Sequence, residues 1–161
     1  MKKIFLILIG SFLGFSPSLH PDAQRPALVS LGVGVFNIVR PQRTVQYQIE
    51  YKWENCWYYI QPFVSFFITN HQSTYFCAGI CADIFVTKNI VVTPSFAPGI
   101  YIKGHGKDLG FPLEFRSCLA LSYQFKNCTR FGAEFYHISN ASLGHRNPGE
   151  ESLVFFFSFP P

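Results

Sequence analysis

Charge is scarce in this sequence: Asp, Glu, Lys and Arg make up only 14% of its residues. The formal net charge of +4 includes Lys2 and Lys3, and the other Lys and Arg residues are scattered. A nucleic-acid groove needs a basic patch or stripe, so no nucleic-acid partner is expected. Long apolar runs are missing as well. Beyond the N-terminus no segment reaches the roughly 18 consecutive apolar residues of a membrane-spanning helix. Cys-x-x-Cys spacing is also absent, which argues against a zinc knuckle or a redox motif. The five cysteines are Cys56, Cys77, Cys81, Cys118 and Cys128. An odd count leaves at least one without a partner in the chain. Cys77 and Cys81, four apart on one strand face, are separated by about 13 Å, too far for a disulfide.

What is present begins with Met1-Lys2-Lys3, an apolar run over 4–15 and then the polar "SPSLHPDAQ". The run is about a dozen residues, short of the roughly 20 that span a bilayer as a helix. It reads as a secretory leader over residues 1–23, with cleavage after Ser18 or Ala23 equally compatible with the small-residue rule. Residues 24–161 then form one domain.

Aromatic residues account for 18% of the chain, and their period is two. In "RTVQYQIEYKW", Val45, Tyr47, Ile49, Tyr51 and Trp53 alternate with Gln46, Gln48, Glu50 and Lys52. In "LEFRSCLALSYQF", Leu113, Phe115, Leu119, Leu121, Tyr123 and Phe125 share one face, and Glu114, Arg116, Ser122 and Gln124 the other. Alternation of this kind marks strands with one apolar and one polar face. Similar segments lie at 27–36, 57–69, 75–87, 90–102, 130–140 and 151–159, which makes eight strands. Their length suits a tilted transmembrane strand of about 9 to 11 residues. The connections at 54–56, 87–89 and 126–128 are short, whereas those near Pro41, near His71, at 103–112 and after Asn140 are longer on average. Short turns on one side and longer loops on the other are the pattern of an outer-membrane barrel. The predicted fold is therefore all-β, an eight-stranded antiparallel transmembrane β-barrel of the bacterial outer membrane. Its interior is filled by Gln46, Glu50, Lys52, Glu114, Arg116, Arg130 and Glu134, and its aromatic face meets lipid. Trp53, Trp57, Tyr58 and Tyr59 fit an interfacial girdle. Pro62, Pro94 and Pro98 are expected at bulges or strand ends. A soluble lipid-binding barrel would require every strand face to be reversed.

Applied to "FYHISNASLGHRNPGEES", the same alternation separates two sets of residues. Phe131, Phe135, His137 and Ser139 share the lipid side, while Tyr136 and Ile138 point inward. In the last strand Glu151 shares the lipid side with Leu153, Phe155, Phe157 and Phe159, and Glu150 points inward. Ionisable groups against lipid are costly and mark function by default. The seventh and eighth strands pair as a hairpin, which brings Glu151 beside His137. His137 and Ser139, two apart on one face, are about 6.5 to 7 Å apart at Cα. The set reads as a triad: Glu151 orients the imidazole, His137 takes the proton and Ser139 attacks a carbonyl.

The segment "HISNASLGHRNPGEES" resembles the signature of the lipid A 3-O-deacylase (PagL-type) family, a His-x-Ser-Asn, a short loop, an Asn-x-Gly-like turn and a glutamate. Here these are His137, Ser139 and Asn140, then Asn147 and Gly149, then Glu151. The resemblance implies Ser139 as nucleophile, His137 as base and Glu151 as its partner. It also implies Asn140 in the oxyanion site, with Asn147 and Gly149 positioning the substrate. The reaction implied is hydrolysis of the ester-linked 3-hydroxyacyl chain at position 3 of lipid A, with no cofactor and no metal. Glu150 rivals Glu151 for the acid role, but family spacing and strand parity both favour Glu151. Ser142 is a rival nucleophile in the loop without a fixed histidine neighbour. Pro160 and Pro161 after Phe159 depart from barrels of this class, which usually end on an aromatic.

The expected partners are lipopolysaccharide in the outer leaflet and the surrounding outer-membrane lipid. The oligomeric state is left open, a homodimer included. The competing reading is a structural or adhesive outer-membrane barrel without catalysis, in which the polar residues at the rim are merely solvated.

Overall fold

A computed structural model describes residues 25–54 and 59–161. The expected leader over 1–23, together with Cys56, Trp57 and Tyr58, lies outside the described residues. The strands are β1 (Leu28–Phe36), β2 (Thr44–Lys52), β3 (Ile60–Thr69), β4 (Thr74–Ala82, continued by Ile84–Phe85), β5 (Ile90–Ile102), β6 (Leu113–Gln124), β7 (Arg130–Ser139) and β8 (Glu150–Phe159). Each pairs antiparallel with the next, and β1 also pairs with β8, Val33 opposite Phe155. The sheet thus closes into an eight-stranded barrel, which leaves no open edge. No helix long and apolar enough to cross a membrane occurs among the described residues.

The side-chain alternation settles which face is which. Gln46, Gln48, Lys52, Glu114, Arg116, Arg130 and Glu134 are buried inside, whereas Leu31, Ile49, Phe76, Leu119, Phe131 and Phe155 are exposed outside. The interior is held by paired charges and amides rather than by an apolar core alone. Asp83 accepts from Lys52 Nζ at 2.8 Å and forms an ion pair with Arg130 Nη2 at 2.7 Å. Arg116 is paired with Glu50 at 2.9 Å and donates to Ser65 Oγ at 3.2 Å. Gln48 donates to Glu134 at 2.6 Å. Arg116 also lies over the rings of Phe63 and Tyr136. Cys77, Cys81 and Cys118 are buried thiols.

The strands differ locally from the sequence expectation. Strand β3 is described from Ile60, and the start expected at residue 57 lies outside the described residues. Strand β4 starts at Thr74, breaks at Asp83 and ends at Phe85 rather than 87, with Asp83 keeping the inward parity of Cys81 and Phe85. Pro94 and Pro98 lie inside β5 rather than at its ends. Their missing N–H groups are accommodated because β4 and β5 pair only over 74–77 with 99–102, 80–81 with 95–96, and 84–85 with 91–92. Both prolines fall in the gaps of that ladder and still pair with Leu119 and Phe115 on the other side.

The connections 37–43, 70–73, 103–112 and 140–149 gather at one end of the barrel. The connections 53–59, 86–89 and 125–129 lie at the other.

The buried Asp83 cluster sets a test of this interior. Asp83→Ala leaves Lys52 and Arg130 without their shared counter-charge, and is expected to lower barrel stability by about 3 to 5 kcal/mol. A urea titration in lipid vesicles reads it, and an unchanged midpoint for the variant would refute the cluster's structural role.

Candidate active site

The outward positions of the described strands are apolar or aromatic with few exceptions. Thr74 stands at the loop-side start of β4. The other four are Ser117, His137, Ser139 and Glu151, which are neighbours in the ladder. His137 is opposite Glu151 on β8 and opposite Ser117 on β6, and Ser139 is opposite Phe115. One row of the sheet therefore reads Ser117, His137, Glu151, with Ser139 one step nearer the loops. The position follows from sequence alone, because β7 alternates from Phe131 through Phe135 to Ser139.

Directly opposite residues have Cβ atoms about 4.5 to 5.5 Å apart, and the side chains use that closeness. His137 Nδ1 lies 3.2 Å from Glu151 Oε1. The histidine side chain is 45% exposed and the glutamate 19%. Glu151 Oε2 is buried and accepts no hydrogen bond among the described residues, so the imidazole is the carboxylate's one side-chain partner. A carboxylate only accepts, so Nδ1 carries the proton in this contact. In the neutral imidazole with this tautomer, Nε2 holds the lone pair and can accept. Glu150 goes the other way. It is fully buried, and accepts from Ser152 Oγ at 2.8 Å and from the Asn37 N–H at 3.2 Å.

Ser139 is half-buried on the same outward face as His137. Its hydroxyl makes no hydrogen bond among the described residues, so the structure joins His137 to Glu151 and leaves Ser139 adjacent. Ser142 is exposed in a turn where Ala141 and Ser142 both have positive φ, closed by the Leu143 N–H donating to the Asn140 carbonyl. It makes no hydrogen bond with His137 among the described residues.

The 140–149 loop is fastened from several directions. Asn140 is fully buried, and its amide donates to the Leu109 and Arg146 carbonyls, both at 2.9 Å. Its side-chain donors are thus committed to holding this loop to the 103–112 loop. The Asn140 N–H donates to Asn147 Oδ1 at 3.1 Å, which orients an exposed Asn147 whose amide donors have no protein acceptor among the described residues. Lys107 donates to Asn37 Oδ1 at 2.8 Å and to the Gly149 carbonyl. Arg40 donates to the Pro148 carbonyl. Arg146 is paired with Asp108 at 2.6 Å. Burial, with Arg40 nearby, holds the Lys107 ammonium below the ordinary lysine range, against Glu150 and Glu151. The Gly110 N–H, then Arg146 and Lys103, hold the Asp108 carboxyl below its usual value. The loop cations therefore act as fasteners between loops.

Gly149 touches the site most closely. Its φ is +58°, and a Cβ there would come 2.8 Å from His137 Cε1 and 3.3 Å from Nε2. The glycine lets the loop back against the imidazole and limits its tilt. Below the His137 row, a shallow outward groove is floored by Ala133 and lined by Val92, Leu119, Leu121, Phe135 and Leu153. Sequence reasoning missed Ser117, Asn37 and the fastening role of Lys107. Ser117 was within reach, since it holds an outward position of the strand already recognised in "LEFRSCLALSYQF".

The model of the lipid A 3-O-deacylase (PagL) family matches residues 40–160. No curated protein matches the chain by sequence. Among solved structures the chain is similar to the crystal structure of the outer membrane enzyme PagL. The TM-score is 0.65 at 19% identity, covering 83% of this chain and 99% of that one. A de novo designed transmembrane β-barrel gives 0.60 at 10% identity, covering 85% and 98%. The Yersinia pestis outer membrane protein Ail gives 0.52 at 8% identity, covering 83% and 98%. These likenesses carry the fold.

Gly149→Ala tests the packing against the ring. Besides the cost of about 1 to 2 kcal/mol for a left-handed alanine, the methyl must displace the imidazole. The His137 Cε1–H NMR resonance is expected to move while the barrel stays folded. A spectrum with that resonance unmoved would mean that the ring does not depend on this contact.

Proposed function

The chain belongs to the lipid A 3-O-deacylase (PagL) family, an ester hydrolase family of the outer membrane, and from that membership we propose a Ser-His-Glu hydrolase acting from the lipid-facing surface. The bond cut is the ester between position 3 of lipid A and its 3-hydroxyacyl chain. Ser139 is the nucleophile, His137 the base and Glu151 its orienting partner. The observation that carries this reading is the 3.2 Å contact between His137 Nδ1 and Glu151 Oε1. It leaves Nε2 as the acceptor on the face that Ser139 shares.

As Ser139 Oγ attacks the ester carbonyl, its proton passes to His137 Nε2, and Glu151 stabilises the resulting imidazolium. The carbonyl oxygen becomes an oxyanion, which needs donors aimed at its new position. The amide of Asn147, oriented by the Asn140 N–H and with its donors open, is the side chain best suited to that task. Asn140 contributes by holding the loop that presents it. Collapse breaks the bond to the sugar oxygen, which takes the proton from His137 and leaves. The acyl group remains on Ser139. Water then attacks the acyl-enzyme with His137 again as base, releasing the 3-hydroxy fatty acid and restoring the serine.

The location suits this substrate. The site lies at the barrel end where the longer loops gather, the outer-leaflet side of an outer-membrane barrel, and it opens sideways toward lipid. An ester at the boundary of headgroup and hydrocarbon meets Ser139 at that depth, with the apolar groove over Ala133 below it for the acyl chain.

Expression in a bacterial host of known lipid A composition, followed by mass spectrometry, tests the assignment. Lipid A is expected to lose one 3-hydroxyacyl group, and Ser139→Ala and His137→Ala to abolish that loss. Glu151→Ala should lower the rate about 10²- to 10⁴-fold, the range of a general acid–base contribution. Glu150→Gln should stay within a few-fold of wild type. Intact lipid A with correctly folded protein would sink the proposal, and a reversed order of the two glutamates would sink the triad.

A further inference from the structure

Of the four clustered outward polar residues, His137, Ser139 and Glu151 have a role in the chemistry proposed above, and Ser117 has none. It is exposed on the lipid-facing side of β6, directly opposite His137, and its hydroxyl makes no hydrogen bond among the described residues. A hydroxyl without a partner is costly against hydrocarbon, and every other outward position of β6 is apolar or aromatic. Ser117 also lies on the acyl side of the nucleophile. Strand β6 runs from the loop end at Leu113 toward the opposite end. Ser117 is therefore one outward step deeper in the membrane than Phe115, the partner of Ser139.

Ser117 and Ser139 are diagonal neighbours, which places them about 7 to 8 Å apart. Near attack, Ser139 Oγ is about 3 to 3.5 Å from the ester carbonyl carbon, and a hydrogen bond to Ser117 Oγ spans about 2.8 Å. These two contacts and the short carbonyl-to-hydroxyl segment between them fit that separation when the path between the serines is bent rather than straight. In a 3-hydroxyacyl ester, two C–C bonds and one C–O bond separate the carbonyl carbon from the hydroxyl oxygen. The groove over Ala133, lined by Leu119, Phe135 and Leu153, takes up the chain just beyond that point.

We propose that Ser117 is a specificity-determining residue, whose hydroxyl hydrogen-bonds the 3-hydroxyl of the acyl chain being released. The inference rests on the reading of Ser139 as nucleophile. It makes the enzyme a reader of hydroxylated acyl chains rather than of acyl chains in general. The hydroxyl of the substrate also satisfies the one on the protein, so both polar groups are removed from hydrocarbon together.

The test uses the full chain, purified and refolded in detergent micelles, and two synthetic lipid A substrates identical except for the 3-hydroxyl on the acyl chain at position 3. Wild type is expected to prefer the hydroxylated substrate in kcat/KM by about 3- to 10-fold, the worth of one neutral hydrogen bond. Ser117→Ala is expected to abolish that preference by slowing the hydroxylated substrate alone. Ser117→Thr, which keeps a hydroxyl, is expected to retain it. The loss of compact mobility on heating confirms that each variant is folded. Equal slowing of both substrates by Ser117→Ala would place the residue behind His137 rather than against the acyl chain, and overturn the inference. Unchanged preference in Ser117→Ala would overturn it too. A wild type that hydrolyses neither substrate would instead defeat the underlying catalytic reading, and this inference with it.

Discussion

A backbone inside hydrocarbon has no water to bond, so each N–H and C=O needs a partner within the protein. That constraint governs the molecule. Strands meet it only by closing, and here closure occurs where β1 meets β8. The seam is tight. A Cβ on Gly34 would stand 2.2 Å from the Leu153 carbonyl oxygen, so the inward position there is open only to glycine. Once the ladder is closed, the side-chain period of two has only two destinations, lipid or lumen. The lumen of so small a barrel cannot stay solvated along its length. Its polar groups must therefore satisfy one another, as Lys52, Asp83 and Arg130 do at one level and Glu50, Arg116 and Ser65 do at another.

The same register fixes the site. A slip of one residue between β7 and β8 would turn either His137 or Glu151 inward. Their contact is therefore a property of the whole barrel rather than of two side chains. Side chains on strands are held more firmly than side chains on loops, and both members of this pair are on strands. The loop still matters because Gly149 abuts the imidazole. Its place is set by Lys107, Arg40 and Asn140, residues of three different connections. The loop cations Arg40, Lys107 and Arg146 bind carbonyls and Asp108, so the loop end is a frame around the histidine.

Most of the architecture was legible because a membrane barrel writes its faces directly into the sequence. Eight strands, their sidedness and the pairing of His137 with Glu151 follow from alternation plus one hairpin. What alternation cannot give is what a side chain does once its face is known. Asn140 falls next to the serine in sequence, yet its side chain is spent on the Leu109 and Arg146 carbonyls, while Asn147, seven residues on, keeps its donors. Nothing local distinguishes the two, since the difference depends on the 103–112 loop. The prolines of β5 were misleading for a related reason. A proline is excluded from a ladder only on the side where its N–H would donate, and the gaps between β4 and β5 are a feature of the pairing of two strands, invisible in either one. Ser117 was legible in principle and passed over because a lone serine in an apolar strand draws no notice until its opposite residue is known.

A site on the outside of a barrel must hold a carboxylate and an imidazole where charge is expensive. The arrangement lowers that cost by depth and by pairing. Glu151 and His137 stand at the loop end of their strands, beside a rim of Arg40, Lys107 and Arg146 that brings polar groups and solvent close. Glu151 is shielded while His137 is nearly half exposed, so the carboxyl group is the more protected member and the imidazole the more accessible one. On the proposed reading this ordering serves both halves of the reaction. Acyl transfer needs the ester to arrive from the lipid side, and deacylation needs water from the rim. A site deeper in the membrane would gain the first and lose the second. A site above the strands would keep the water but lose the acyl chain. The depth of His137, set by where β7 gives way to its loop, is the one level at which both reactants reach the same serine.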